Sequence, residues 1–360
     1  MRLSFTPTLD EERMQRRLDR LLVPGSLLDA ELERRIARLA RAFRSYAASY
    51  PLPLWAPGLV IDNEMRGLTE ALLPMSQVRA PFDLLLRRGC RFAPLFSATY
   101  LHDAASWLDL LHRFRPQLLR ADPAATLLEL AVDHERRLRF LFALFLPHHF
   151  GGGFDRYPLQ SQWIGRWLGE NRTRLKGRIR ALDSACGSGE GSYGLAELLA
   201  AAGFRGEGCA VHGSTLEPIE LFAAAHLFFP HDRPREREYR RRAAPLLAGT
   251  GGVGMEFYLD DVGSVTRGER YHLVLCNGLL GGPLLHGEGE LSRAVGALAS
   301  RLAPGGVLLA ADRFHAGWRL RVPAAKLSAL MREHGLTPLQ VPEGLAAAKG
   351  KGAGISPPGP

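Results

Sequence analysis

Asp183-Ser-Ala-Cys-Gly-Ser-Gly-Glu-Gly-Ser-Tyr193 is the stretch whose reading decides the fold. The apolar run before it, with Ile179, Ala181 and Leu182, reads as a short buried strand, and residues 195–202, rich in Ala and Leu, read as a helix. Gly187, Gly189 and Gly191 lie between them, so a turn almost without side chains joins a strand end to a helix N-terminus. Backbone N–H groups and open space meet there, and a ligand can approach the main chain. Two cofactors compete for such a cradle. Gly189, Gly191 and Gly194 satisfy the G-x-G-x-x-G spacing of a dinucleotide site, where a helix N-terminus faces a pyrophosphate. Asp183 argues the other way, because a carboxylate ahead of the turn repels a pyrophosphate and suits the cationic amino group of S-adenosylmethionine.

The same residues carry a resemblance to a known family. Cys186-Gly-Ser-Gly-Glu-Gly-Ser-Tyr-Gly-Leu-Ala196 resembles the Cys-Ser-Thr-Gly-Glu-Glu-Pro-Tyr-Ser-Leu-Ala segment of the CheR-type chemotaxis methyltransferases, and Asp183 restores the acid of the wider class I methyltransferases. Pro304-Gly-Gly306 resembles the Leu-x-Pro-Gly-Gly turn that opens the fifth strand of that class. The resemblance is specific in the C-terminal half and extends over the N-terminal half in outline only. It implies S-adenosylmethionine as cofactor and methyl transfer as the reaction. Carried to the substrate, it implies a glutamate side chain of a receptor protein, although the receptor-docking subdomain of the chemotaxis enzymes is not evident in this sequence.

Around the loop, the chain alternates strand and helix. Gly208-Cys-Ala-Val-His-Gly213 reads as a second strand and residues 218–228 as its helix. Gly254-Met-Glu-Phe-Tyr-Leu-Asp260 and Tyr271-His-Leu-Val-Leu-Cys276 read as further strands. Residues 291–302 read as a helix, Gly306-Val-Leu-Leu-Ala-Ala311 as a buried strand and residues 324–334 as a helix, while 337–341 and 345–349 form a closing antiparallel hairpin. Such alternation implies a mostly parallel, Rossmann-like sheet with helices on both faces, the class I methyltransferase sheet of the resemblance.

Residues 1–147 read differently. Apolar positions recur at helical spacing over 27–46, 104–114 and 125–146, and prolines punctuate the gaps, so an all-helical N-terminal domain precedes the α/β half. His148-His-Phe-Gly-Gly-Gly-Phe-Asp-Arg-Tyr-Pro158 breaks that pattern, and residues 148–175 read as a glycine-rich hinge or lid with a linking helix. Residues 176–349 form the cofactor-binding domain, and 350–360, without core-forming residues, a disordered tail. The charged run Asp232-Arg-Pro-Arg-Glu-Arg-Glu-Tyr-Arg-Arg-Arg242 reads as a solvated helix face with local ion pairs, or as a contact for an acidic partner or RNA.

Composition narrows the classes. No apolar run approaches the roughly 20 residues of a membrane span, and the N-terminus has no secretory pattern, so a cytoplasmic protein is expected. Cys90, Cys186, Cys209 and Cys276 lack C-x-x-C spacing and read as reduced, buried thiols. The formal charge of +9 comes mainly from arginine. An acidic protein surface fits it as a partner, whereas nucleic acid is disfavoured because no aromatic-interleaved basic motif accompanies the charge. No metal site is expected, since His148-His149 lacks a third ligand, and His212, His272, His286 and His315 read as packed or surface residues.

In an open α/β sheet, ligands sit beyond the carboxyl ends of the strands. The resemblance places Asp183, Ala185, Cys186, Gly187, Ser188 and Gly189 at the methionine end of the cofactor, with Glu190 near them or capping the helix. Its ribose acid falls at Thr215, beside Leu216, when Gly213-Ser-Thr-Leu-Glu-Pro218 is laid on the usual Gly-Thr-Asp-Ile-Ser-Pro. Two carboxylate oxygens grip two hydroxyls as one hydroxyl cannot. Glu217 compensates from the next turn, or ribose is held less tightly, or ordinary cofactor binding is lost. Asp260 and Asp261 are candidates for the adenine amino group, and Asn277 and Gly278 for the reactive end, where the CheR-type proteins carry Arg-Asn-Val-Leu. Phe154-Asp155-Arg156 is loosely similar to the Phe-Phe-Arg segment that covers the cofactor in those enzymes, and Arg156 and Tyr157 are the acceptor-side candidates. A general base is needed only for a protonated acceptor. The residues leave open a protein carboxylate or a small molecule as acceptor, a noncatalytic adenosyl- or partner-binding module, and an RNA methyltransferase.

Overall fold

Neighbouring apolar residues along the central strands send their side chains to opposite faces, so each strand needs cover on both sides. In the computed structural model, Leu182, Val274 and Leu308 pack on one face of a sheet, while Ala181, Leu273 and Leu309 pack on the other. The structure describes residues 3–54, 56, 58–95, 99–114, 118–146, 153–248, 252–264, 267–311 and 320–350. It divides into two units: residues 1–9, 148–228 and 237–360 form the sheet unit, and residues 10–147 with 229–236 form the other.

The described part of the second unit contains α1 (Glu11–Leu18), α2 (Ala30–Ser49), α3 (Asn63–Leu72), α4 (Met75–Gly89), α5 (Tyr100–Asp103), α6 (Trp107–Phe114), α7 (Pro123–Val132) and α8 (His134–Phe145), with one isolated bridge between Leu22 and Cys90. Asp10, Asp29, Asp62, Asp122 and Asp133 each cap a helix by accepting from a backbone N–H in its first turn. Residues 125–146, expected as one helical stretch, are two helices, because Asp133 ends α7 and caps α8. Arg137 is buried, and its guanidinium donates to Leu130 O at 2.9 Å and Gly25 O at 2.6 Å.

The sheet unit runs β1 (Ser4–Phe5), α9 (Pro158–Asn171), β2 (Ile179–Ser184), α10 (Glu190–Ala201), β3 (Cys209–Thr215), α11 (Pro218–His226), the later part of α12 (Arg233–Ala248), β4 (Gly254–Leu259), β5 (Tyr271–Leu275), α13 (Glu288–Arg301), β6 (Leu302–Ala310), α14 (Ala324–Glu333), β7 (Leu336–Leu339) and β8 (Leu345–Lys349). The strands form one sheet in the order β1-β4-β3-β2-β5-β6-β8-β7. Strands β2 to β6 are parallel to their neighbours among themselves, β8 is antiparallel to β6 and to β7, and β1 is antiparallel to β4. This is a mixed α/β, Rossmann-like sheet closed by an antiparallel hairpin.

Leu291 and Leu298 of α13 and Leu327 and Met331 of α14 cover one face. Ile164 and Leu168 of α9 and Leu195 and Leu199 of α10 cover the other. Two details differ from the sequence expectation. Ser4 and Phe5 join the sheet, pairing with Tyr258 and Phe257. Strand β6 begins at Leu302, ahead of Pro304-Gly-Gly306, because Leu302 pairs with Tyr271 before the register shifts and Val307 pairs with Leu273. The expected tail at 350–360 except Gly350, the first part of the hinge at 148–152, and Asp312 lie outside the described residues.

Candidate functional site

Parallel pairing puts the carboxyl ends of β2, β3, β4 and β5 on one rim, and the polar candidates follow from it. Asp183 pairs in register with Gly213 and Leu275, and Thr215 with Leu259. The chain leaves β2 through Ala185, a non-glycine residue at φ 65°, a left-handed conformation that costs an L-residue about 1–2 kcal/mol. Cys186 N then donates to Ser214 O at 2.8 Å, pinning the loop to β3, and Gly189 N closes the turn on Cys186 O at 2.9 Å.

Asp183 turns under this loop and is buried. Its Oδ2 accepts from Ser192 Oγ at 2.8 Å in the first turn of α10. A Cβ on Gly191 would stand 2.7 Å from that same oxygen, so only glycine lets α10 seat on the carboxylate. Burial, opposed by the Ser192 hydrogen bond and reinforced by the charge of Glu190, pushes the Asp183 pKa up to about 7. A Cβ on Gly187 would meet nothing within 4 Å, so the loop is open on that side.

Three more carboxylates stand at the starts of α10 and α11. Glu190 opens α10 and accepts from Ser188 Oγ at 2.8 Å and from Tyr239 Oη at 2.7 Å. Glu217 caps α11, its Oε1 accepting from Ile219 N at 3.2 Å. Thr215 ends β3, and its Oγ1 donates to Glu220 Oε2 at 2.6 Å. Burial, then the charges of Asp183, Glu220 and Glu190, hold the Cys186 thiol well above its ordinary pKa. Leu216, next to Thr215, is 51% exposed.

The two acids after β4 separate. Asp260 is buried with Arg301 of α13, Oδ2 to Nη2 at 2.5 Å, with side-chain exposures of 1% and 3%. Its Oδ2 is engaged in this core ion pair. Asp261 is exposed, and its Oδ1 accepts from Gly263 N at 2.8 Å. After β5, Asn277 is braced. Its Nδ2 donates to Gln160 Oε1 at 2.8 Å, and its Oδ1 accepts from Ala311 N at 2.8 Å and Gln160 Nε2 at 3.2 Å. Gly278 N donates to Ala311 O at 2.7 Å. Gln160 sits in the first turn of α9, where Glu343 Oε2 accepts from its N–H and that of Leu159, each at 3.2 Å.

Tyr157, at the N-cap of α9, is buried, with the Arg156 guanidinium 5.5 Å from its ring centre. The histidines are tied into the fold: His212 Nδ1 lies 2.9 Å from Tyr271 Oη, and His272 Nδ1 accepts from Arg180 N at 3.1 Å. Among the described residues, no three His, Cys, Asp or Glu side chains group to hold a metal ion, and no helix is long and apolar enough to cross a membrane. His148, His149 and His315 lie outside the described residues. All four cysteines are buried thiols outside any disulfide.

Sequence reasoning missed Ser192, Glu220, Gln160, Tyr239 and Arg301. Glu220 had a readable signal: in Glu217-Pro-Ile-Glu220 it falls at the third helical position after a capping glutamate and a proline. The partners of Asp183, Asn277 and Asp260 had none, since each depends on elements brought together only by folding.

No protein-family profile matches the chain. No curated protein matches it. Among solved structures it is similar to the cyclase SpnF, at 22% identity over 50% of this chain and 59% of that one, with a TM-score of 0.31. It is similar to a SAM-dependent methyltransferase from Methanosarcina mazei, at 16% identity over 50% and 96% of the two chains, with a TM-score of 0.33. A third likeness is to magnesium protoporphyrin IX methyltransferase from Synechocystis with bound SAH, at 16% identity over 60% and 93%, with a TM-score of 0.34. The chain spans little more than half the length of the first of these and nearly all of the other two. At these scores the likenesses assign no reaction or ligand to it.

Proposed function

We propose that the sheet unit binds S-adenosylmethionine and that the chain is a methyltransferase, similar in its loop to the CheR type. One observation carries this reading: carboxylates stand at the glycine turn, Glu190 accepting from Ser188 Oγ at 2.8 Å and Asp183 lying 2.7 Å from where a Cβ on Gly191 would be. A pyrophosphate seeks positive charge at such a turn, whereas a ligand with an ammonium, a sulfonium and a diol suits a negative one. The open side of Gly187 and the exposed Leu216 fit the same ligand, the first as main-chain access and the second as an apolar wall for a flat ring.

S-adenosylmethionine supplies an electrophilic methyl group. The residues of this chain then have positioning tasks. The loop from Ala185 to Gly189, pinned to β3 through Cys186 N, receives the methionine end. Thr215 and Glu220 meet the ribose hydroxyls together, the carboxylate reaching from α11. Asp261 is the acid left for the adenine amino group. Asn277 and Gly278, braced by Gln160, shape the reactive end, with Arg156 and Tyr157 on the acceptor side. In-line displacement at a sulfonium asks mainly for alignment and exclusion of water. A protein carboxylate and a small molecule are the two acceptor classes that fit.

Titration calorimetry with S-adenosylmethionine and S-adenosylhomocysteine tests the reading. Micromolar binding of both, with no binding of NAD, is the expected result. Binding of NAD alone, or of neither adenosyl compound, overturns it.

A further inference from the structure

The arginine-rich helix α12 lies outside the cradle, yet two of its side chains tie the cradle to the segment that carries Arg156 and Tyr157. The Arg242 guanidinium makes two hydrogen bonds to Asp155, at 2.6 and 3.0 Å, and two to Glu197 of α10, at 2.9 and 2.7 Å. The same guanidinium lies 4.2 Å from the ring centre of Phe154. Phe154 in turn meets Tyr239 edge to face, with ring centres 4.8 Å apart. Tyr239 Oη donates to Glu190, which also accepts from Ser188 of the glycine turn. A continuous chain of contacts therefore runs from Asp155 to the turn. Asp155 holds φ 60° within it, a left-handed conformation for a non-glycine residue.

We propose that Tyr239 and Arg242 are positioning residues that couple the segment 153–157 to the cofactor turn, so that segment and turn order together. Two features single out this node from ordinary surface pairing. Single exposed ion pairs contribute little, but Arg242 grips two carboxylates bidentately and covers an aromatic ring at once, which fixes its orientation. Its carboxylate partners stand on different elements, the 153–157 segment and α10, so one side chain bridges them.

The coupling rests on the cofactor reading only where a ligand is used, and hydrogen exchange separates the two. In the ligand-free protein, Asp155→Asn and Arg242→Ala should each speed amide exchange across residues 154–157 about tenfold. Asparagine tolerates the left-handed backbone, so Asp155→Asn removes the ion pair with little backbone disturbance. S-adenosylhomocysteine should slow exchange in this segment in the wild type but not in Tyr239→Phe, which keeps the ring on Phe154 and loses only the hydroxyl. Unchanged exchange in both Asp155→Asn and Arg242→Ala overturns the latch, and equal slowing in Tyr239→Phe overturns the role of Tyr239. A wild type that binds no S-adenosylhomocysteine in calorimetry overturns the cofactor reading instead, and the ligand-free rates still decide the latch.

Discussion

Thr215 at the end of β3 gives its hydroxyl hydrogen to Glu220 in the first turn of α11, at 2.6 Å. A threonine where a carboxylate is expected is thus joined to a carboxylate five residues later, and the two present an acidic, hydrogen-bonding pair at the strand end.

If that pair holds the ribose diol, Glu220→Gln should weaken S-adenosylhomocysteine binding about tenfold to a hundredfold, the range for hydrogen bonds to a charged group. Thr215→Asp in the Glu220→Gln background should recover most of the loss. Calorimetry reads both, and wild-type affinity in Glu220→Gln would remove the carboxylate from the site.

If the proposed cofactor's amino group lies beside Asp183, binding should depend on pH. With the Asp183 pKa raised to about 7 by burial, the free protein near neutral pH carries this carboxyl partly protonated. A cationic amino group brought close favours the ionised form, so binding at pH 6.5 should release a proton. Calorimetry in two buffers of different ionisation enthalpy measures that release, which should vanish at pH 9 and in Asp183→Asn. The stability consequence has a definite sign. The folded pKa lies above the unfolded one, so the native state binds more protons between about pH 4 and pH 7. Stability from this group is full below about pH 4 and falls as the pH rises through 7. Asp183→Asn should therefore gain in melting temperature relative to wild type at pH 8 and not at pH 4.

Neighbouring acids should behave in opposite ways. Asp260→Ala leaves Arg301 buried without its carboxylate and should cost about 3–5 kcal/mol in denaturant unfolding. Asp261→Ala, on an exposed turn, should cost about 1 kcal/mol or less. Similar losses in the two variants would contradict the burial difference.

The sheet was legible because its strands are short continuous apolar runs bounded by glycine and polar turns, and residues 254–259 and 271–275 fall where those runs do. Helical periodicity was blind to the break at Asp133, since one aspartate can end one helix and start the next without disturbing the apolar spacing. The site was legible as far as each strand end, because the rule that ligands meet carboxyl ends needs only strand positions. Side-chain commitments lay beyond it. Nothing local in Asp260-Asp261 says that Arg301 will claim the first acid, and nothing in Asn277 foretells Gln160. The ribose position falls at Thr215 by alignment, but the carboxylate that Thr215 meets is Glu220, one helical turn on, while Glu217 accepts from Ile219 N in the cap of α11.

The two-residue strand at Ser4–Phe5 has a consequence away from any ligand. It lies along β4, with Leu3 O accepting from Leu259 N at 2.9 Å just beyond the paired residues. Without it, β4 would offer a bare row of backbone donors and acceptors, the kind of border along which separate molecules zip together. So brief a strand covers the Phe257–Leu259 end of that border while leaving too little length for another molecule to build on. Residues 3–5 act as a hem on the sheet, and a form of the protein trimmed past Phe5 would expose β4 to its own copies.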